Sequence, residues 1–224
     1  MNWLSTDSTF RREALLLFVF SVLCFGLWMA RAVWTGSPAY IFLNWNLFLA
    51  IIPWLSSSGI KNSRHASWLW VLALPAWVLF FPNAPYIITD LFHLRRHPGM
   101  WFDLVLILSF AWTGLLAGLL SLRHIEESLV LRLGKTRTVL ISSAFLFLCA
   151  FGIYLGRFER WNSWDILHHP FSLLTDIADR FIHPQNHPRT WGMTMLFGLM
   201  LNMMYFSFGY LKYQKAEFKD SSVR

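Results

Sequence analysis

The sequence predicts an all-α, polytopic transmembrane helical bundle of about six spans, and three observations carry that prediction. Of 224 residues, 56% are hydrophobic and 18% aromatic, while 14% are charged, against roughly 25% charged in a soluble domain. Six apolar runs, at about 14–33, 39–56, 67–82, 101–122, 138–156 and 191–211, approach the about 20 residues that a spanning helix needs. No polar, Gly/Ser-rich or single-charge stretch is long enough to be a linker, so residues 1–224 read as one integral membrane domain.

The first run follows Arg11 and Arg12 and contains Ala30-Arg31-Ala32. It is too long and too aromatic for a cleaved leader and reads as a retained signal anchor. The second opens on Asn44-Trp45-Asn46 and holds Pro53; the third is short and holds Pro75. Gly114 with Gly118 in the fourth run, and Gly152 with Gly156 in the fifth, place small residues four apart, which lets helix backbones approach closely in lipid. Asn202 in the sixth run is a polar group at mid-membrane depth, expected to face the bundle interior in an interhelical hydrogen bond.

Residues 157–190 form a long connection, of the kind that tends to be functional in compact domains. Within it Phe171, Leu174, Ile177, Ala178 and Phe181 recur at helical spacing opposite Ser172, Thr175, Asp176, Asp179 and Arg180. That pattern predicts a short amphipathic helix lying in the outer interface.

The net charge of +7 is scattered through short loops, whereas nucleic-acid binding gathers it into a stripe between aromatics. Topology accounts for it instead. Arg11, Arg12, Lys61, Arg64, Arg123, Arg132, Lys135, Arg137, Lys212, Lys215, Lys219 and Arg224 fall on one side of a six-span topology, and Arg31, Arg95, Arg96, Arg157, Arg160, Arg180 and Arg189 on the other. The excess places both termini in the cytoplasm of a plasma membrane protein. Cys24 and Cys149 lie inside apolar runs and read as small buried side chains, not a disulfide framework.

The third run ends in "FPNAPYIITDLFHL", residues 81–94. Pro82 and Pro85 remove two backbone donors and push Phe81 and Ala84 away from helical torsions. Pro85 suits the first position of a new helix, expected from Tyr86 to His97 and ended by Pro98. Its start would present free N–H groups, favourable to an anion or carbonyl, at a depth where irregular backbone must be buried in protein or line a wet cavity. Asp90, His93 and His97, three and four apart, would then share a face.

A second polar stretch, "GIYLGRFERWNSWD" at 152–165, offers Arg157, Arg160, Trp161, Trp164 and Asp165 on one face if its helix continues, with Asn162 off it. Arginine's planar fork suits phosphate or carboxylate, and tryptophan suits the headgroup level. Asn44 and Asn46, and Trp101 with Asp103, complete four stretches expected on the outer side. Pairing of these arginines with Asp90, Asp103 or Asp165 as a structural bracket is the competing reading. A metal site lacks a clear fourth ligand, no cofactor motif occurs, and neither a Gly-x-Ser-x-Gly elbow nor a Gly-rich phosphate loop is present. His169, His183 and His187 precede prolines and mark turns.

Phe81-Pro-Asn-Ala-Pro-Tyr with Thr89-Asp90-Leu91, Gly156-Arg157 with Arg160-Trp-Asn-Ser-Trp-Asp165, and Asn44-Trp-Asn46 with Pro53 resemble a family of bacterial multi-pass membrane proteins catalogued as a domain of unknown function, number thirteen sixty-one. The resemblance covers about residues 30–210 and implies membrane residence without implying a chemistry. The residues themselves point to an outward-facing site of Asn44, Asn46, Asn83, Tyr86, Asp90, His93, Asp103, Arg157, Arg160, Trp161, Asn162 and Asp165. Its expected partners are the bilayer and a lipid or lipid-linked anionic headgroup, held by Arg157 and Arg160, with Asp90 or His93 as acid or base. A small-solute or ion transporter using the broken third helix and Asn202, and an assembly partner with no ligand, are the alternatives.

Overall fold

The computed structural model describes residues 3–62, 67–94, 96–161 and 165–221. These form nine α-helices and two 3-10 helices, without a strand: α1 (Trp3–Thr35), α2 (Phe42–Asn62), α3 (Ser67–Phe80), α4 (Asn83–Tyr86), a 3-10 helix (Ile87–His93), α5 (Met100–Leu133), α6 (Lys135–Phe158), α7 (Asp165–His168), α8 (Pro170–Ile182), a second 3-10 helix (Pro184–Asn186) and α9 (Pro188–Ser221). The all-α, polytopic expectation holds. Among the described residues five segments are long and apolar enough to cross a membrane, Ser8–Thr35, Val71–His93, Met100–Leu133, Lys135–Phe158 and Pro188–Tyr210. The second expected span, 39–56, is helical from Phe42 onward as part of α2, whose apolar character is diluted by Asn44, Asn46, Pro53 and three serines.

The chain divides into two compact units, Met1–Thr138 and Val139–Arg224. In the first unit, α2 packs most extensively against α5 and then α3. Leu106, Ile107 and Phe110 of α5 meet Leu43, Leu47 and Ala50 of α2, with Ala84 and Ile87 from the broken segment, and all are buried. The α5 helix stops at Gly134, whose φ of +80° is costly for a side-chain-bearing residue.

The third span breaks as the prolines require, but with different geometry from that expected. The α3 helix has 14 residues, about 21 Å at 1.5 Å per residue, so the span reaches membrane length through the turn and the 3-10 helix. The Phe81 amide makes a last helical bond to the Trp77 carbonyl; Ala84 then bonds to Phe81, and Tyr86 to Pro82. The new helix starts at Asn83, not Pro85, and Ala84 is helical. Pro85 thus occupies the third helical position, where an amide has no intrahelical partner to lose.

This irregular backbone is buried in protein. A Cβ on Gly114 would lie 2.9 Å from the Ala84 carbonyl oxygen and 2.8 Å from Ile87 Cδ1, and one on Gly118 would lie 2.9 Å from Ala84 Cβ. The small-residue pair of α5 is therefore the seat of the broken segment.

In the second unit Asn202 bridges α9 to α6 as expected. Its Oδ1 accepts from Ser143 Oγ, and its Nδ2 donates to the Gly198 carbonyl at 2.8 Å. The α8 helix is amphipathic, with Phe171, Leu174, Phe181 and Ile182 exposed and Leu173 packed with Phe151, Tyr154 and Leu155. Cys24 and Cys149 are free and buried.

Candidate functional site

One end of the first unit gathers the C-terminal end of α1, the start of α2, the 3-10 helix Ile87–His93 and the first turn of α5. Asp103, in that first turn, is 1% exposed, and Arg31 of α1 is 7% exposed. Arg31 Nε donates to Asp103 Oδ1 at 2.6 Å and Nη2 to Oδ2 at 3.2 Å, the two-pronged geometry that arginine's fork favours. The Tyr40 ring covers the guanidinium at 4.6 Å.

His97 completes this trio. The Gly99 amide donates to His97 Nδ1 at 3.0 Å, which assigns the ring proton to Nε2. Nε2 then donates to Asp103 Oδ2 at 2.9 Å. Both nitrogens of His97 are engaged.

Asp90 and His93 form a separate pair. Asp90 is 1% exposed, and Asn46 Nδ2 donates to its Oδ2 at 2.9 Å. His93 Nδ1 lies 3.8 Å from Asp90 Oδ1, with the imidazole side chain 47% exposed. The Phe42 ring packs on the His93 ring at 5.1 Å between centroids, and the Tyr40 hydroxyl donates to the His93 carbonyl at 3.4 Å. A buried carboxylate, anchored by an amide, thus backs a half-exposed imidazole.

The expected α-helix through His97 is not formed. Residues 87–93 wind as a 3-10 helix and Leu94 is extended. Three residues per turn eclipse positions i and i+3, which keeps Asp90 under His93 and releases His97 to Asp103. The free N–H groups expected at the helix start are also used locally, Ala84 and Tyr86 bonding back to Phe81 and Pro82.

Among the remaining first-unit candidates, the side chains of Asn44 and Asn83 bond to backbone carbonyls. Asn44 Nδ2 reaches the Ile41 carbonyl at 3.4 Å, and Asn83 Nδ2 caps the end of α3 through the Phe80 carbonyl at 3.0 Å. Tyr86 is half-buried, and its carbonyl accepts from Thr89 Oγ1 at 2.7 Å.

In the second unit α6 does not continue through the 152–165 stretch, so its polar residues do not share one helical face. It ends at Phe158, and Arg160 has a φ of +63°, the left-handed conformation that terminates helices. Arg160 is exposed and Arg157 half-buried. Trp161 Nε1 donates to Asp176 Oδ2 at 2.8 Å, Asp165 opens α7, and Asn162 and Trp164 lie outside the described residues.

Among the described residues of this unit the buried cation is Arg180, paired with Glu159 at 2.7 Å and with Asp176. Burial opposes its charge, but the hydrogen bonds and charges of Asp176 and Glu159 outweigh burial and raise its pKa. Asp179 is held below the usual carboxylate range by hydrogen bonds from His183 and His187, at 2.9 and 2.7 Å.

A family model described as a protein of unknown function, DUF1361, matches residues 45–204. The chain belongs to the DUF1361 family. No curated protein and no solved structure matches it. In this DUF1361 chain the matched region holds Asn46, Asp90, His93, His97 and Asp103, while Arg31, Tyr40 and Asn44 precede it. Arg31 and Tyr40 are the site residues that sequence reasoning missed. The available signal was a lone arginine closing an otherwise uncharged run, which in a membrane calls for a buried carboxylate partner.

Proposed function

We propose that this protein is an integral membrane protein, with both termini cytoplasmic, that binds or processes a lipid or lipid-linked headgroup at the His93–Asp90 pair. The observation that carries this reading is the half-exposed imidazole backed by a buried, Asn46-anchored carboxylate. Exposed Trp34, Trp45, Phe92 and Trp101 belong to the same end of the first unit, and such aromatics favour the headgroup level of a bilayer. The exposure of His93 and this aromatic surround support the headgroup reading.

In this proposal His93 exchanges a proton with the bound group, while Asp90 orients the ring. The present 3.8 Å separation is of the kind that tightens when substrate binds. Arg31, Asp103 and His97 act as a structural bracket joining α1 to α5, because every strong donor and acceptor of that trio is already used internally. Arg157, Arg160, Trp161, Asn162 and Asp165 of the second unit form a separate candidate set for an anionic group, and α8 rests its apolar face in the interface.

The test is native mass spectrometry with lipidomics on protein purified in mild detergent, comparing wild type with His93→Ala and Asp90→Asn after melting curves establish that all are folded. One headgroup class is expected to copurify with wild type and to be depleted in both variants. Identical lipid profiles would contradict the headgroup site.

A further inference from the structure

At the opposite end of the first unit, three helices bury a second polar cluster. Glu13 comes from α1, Ser57 and Ser58 from α2 and His124 from α5, and all four are buried. Glu13 Oε2 accepts from His124 Nε2 at 2.9 Å and from Trp54 Nε1 at 3.1 Å. Two donors converging on one oxygen fit an ionised carboxylate. Across the ring, His124 Nδ1 lies 3.2 Å from Ser57 Oγ and 3.4 Å from Ser58 Oγ. Both hydroxyls also reach the Trp54 carbonyl, at 3.0 and 2.7 Å.

The order carboxylate, imidazole, hydroxyl is that of an activated serine nucleophile. Ser57, however, is 0% exposed, which leaves no space for an acyl group. A ligand without volume does fit, and we propose that the cluster is a proton-binding site in which His124 takes up one proton at Nδ1 from water.

Hydrogen-bond accounting supports both protonation states. With the ring neutral, Nε2–H donates to Glu13, the Ser57 hydroxyl donates to Nδ1 and the Ser58 hydroxyl donates to the Trp54 carbonyl. With the ring charged, Nδ1–H donates to Ser57 Oγ, and both hydroxyls turn to the Trp54 carbonyl, which they share with the helical amide of Ser58. In both states the two ring nitrogens of His124 and Glu13 Oε2 keep a hydrogen-bond partner, and losing one would cost about 1–3 kcal/mol. Interconversion requires one hydroxyl to rotate and no backbone movement.

Charge favours the same switch. The neutral-ring state leaves Glu13 as a buried anion, and protonation turns its hydrogen bond to His124 into an ion pair. Among the described residues, the other ionisable groups at this end are Lys61 on α2, 3.0 Å from Glu127 on α5, Arg123, also 3.0 Å from Glu127, half-buried Glu126, and exposed Arg11 and Arg12 on α1. Lys61 is near enough to act on the Glu13 charge. Histidine and carboxylate chains among membrane helices are the usual material of proton relays, and this one is built where α1, α2 and α5 meet.

The experiment is a pH titration by NMR of the full chain, labelled with ring-15N histidine in phospholipid nanodiscs. The chain has 8 histidines, and His124→Gln assigns the signal. A single reversible protonation of His124 is expected within the pH range over which the protein stays folded. Glu13→Gln should lower the proton affinity at least about tenfold, one pKa unit, and Lys61→Gln should raise it. A His124 signal fixed in one protonation state across that range would overturn the proposal, as would a titration unchanged in Glu13→Gln. If Glu13→Gln does not fold, the wild-type and Lys61→Gln titrations decide.

Discussion

Replacing Asp103 by alanine leaves the Arg31 guanidinium buried and unpaired. The side chains of this pair are 9% and 2% exposed, so water cannot replace the lost carboxylate. Removing one partner of such a pair costs about 3–5 kcal/mol, and His97 loses its acceptor in the same step. At roughly 2–4 °C per kcal/mol for a chain of this size, Asp103→Ala should lower the melting temperature by roughly 6–20 °C. Tryptophan-fluorescence melts in nanodiscs read this directly. The double variant Arg31→Met/Asp103→Leu removes both charges and should recover most of the loss, because apolar replacement of a whole buried pair is often neutral. A cost below about 1 kcal/mol for Asp103→Ala, or a double variant as unstable as the single, would refute the bracket.

Gly114→Ala should destabilise by about 1–3 kcal/mol through overpacking, since its Cβ would press on the Ala84 carbonyl. Gly26→Ala, with nothing within 4 Å, should instead gain up to about 1 kcal/mol in helix propensity; denaturation of the two variants side by side checks the contrast. Asn202→Ala should cost roughly 0.6 kcal/mol, the average for hydrogen bonds between membrane helices, measured by the same denaturation. Asp179 has a folded pKa below its unfolded value, so its contribution is present above the unfolded carboxylate value of about 3.9 and is lost as pH falls through the lower folded value. Hydrogen exchange at the His183–His187 turn should accordingly be slower in wild type than in Asp179→Asn at pH 6, with the difference fading below pH 4.

The helices were legible because apolar runs of membrane length admit few other solutions. The break at 81–86 was legible from two prolines, and the role of Asn202 from a single polar residue in an apolar run. The pairing of Asp90 with His93 survived a wrong helix type, since three residues apart is close in both α and 3-10 geometry. His97 did not survive it, because seven residues apart is a shared face in an α-helix alone. The common face drawn through Arg157, Arg160 and Asp165 failed because a left-handed Arg160 carries no glycine or asparagine signature. Glu13, Ser57, Ser58 and His124 went unread because they are dispersed over three helices, and each lies just outside an apolar run, where a single polar residue is unremarkable.

The most direct test of the His93–Asp90 site is the rate at which diethyl pyrocarbonate modifies His93, followed by mass spectrometry on delipidated protein before and after adding back total lipid extract of the expression host. Exposed His169, on the second unit, serves as the internal reference. A bound headgroup predicts that lipid slows modification of His93 more than that of His169, which caps the interfacial helix α8, and that Asp90→Asn abolishes the difference. Equal rates for His93 with and without lipid, or equal slowing of both histidines, would contradict the account.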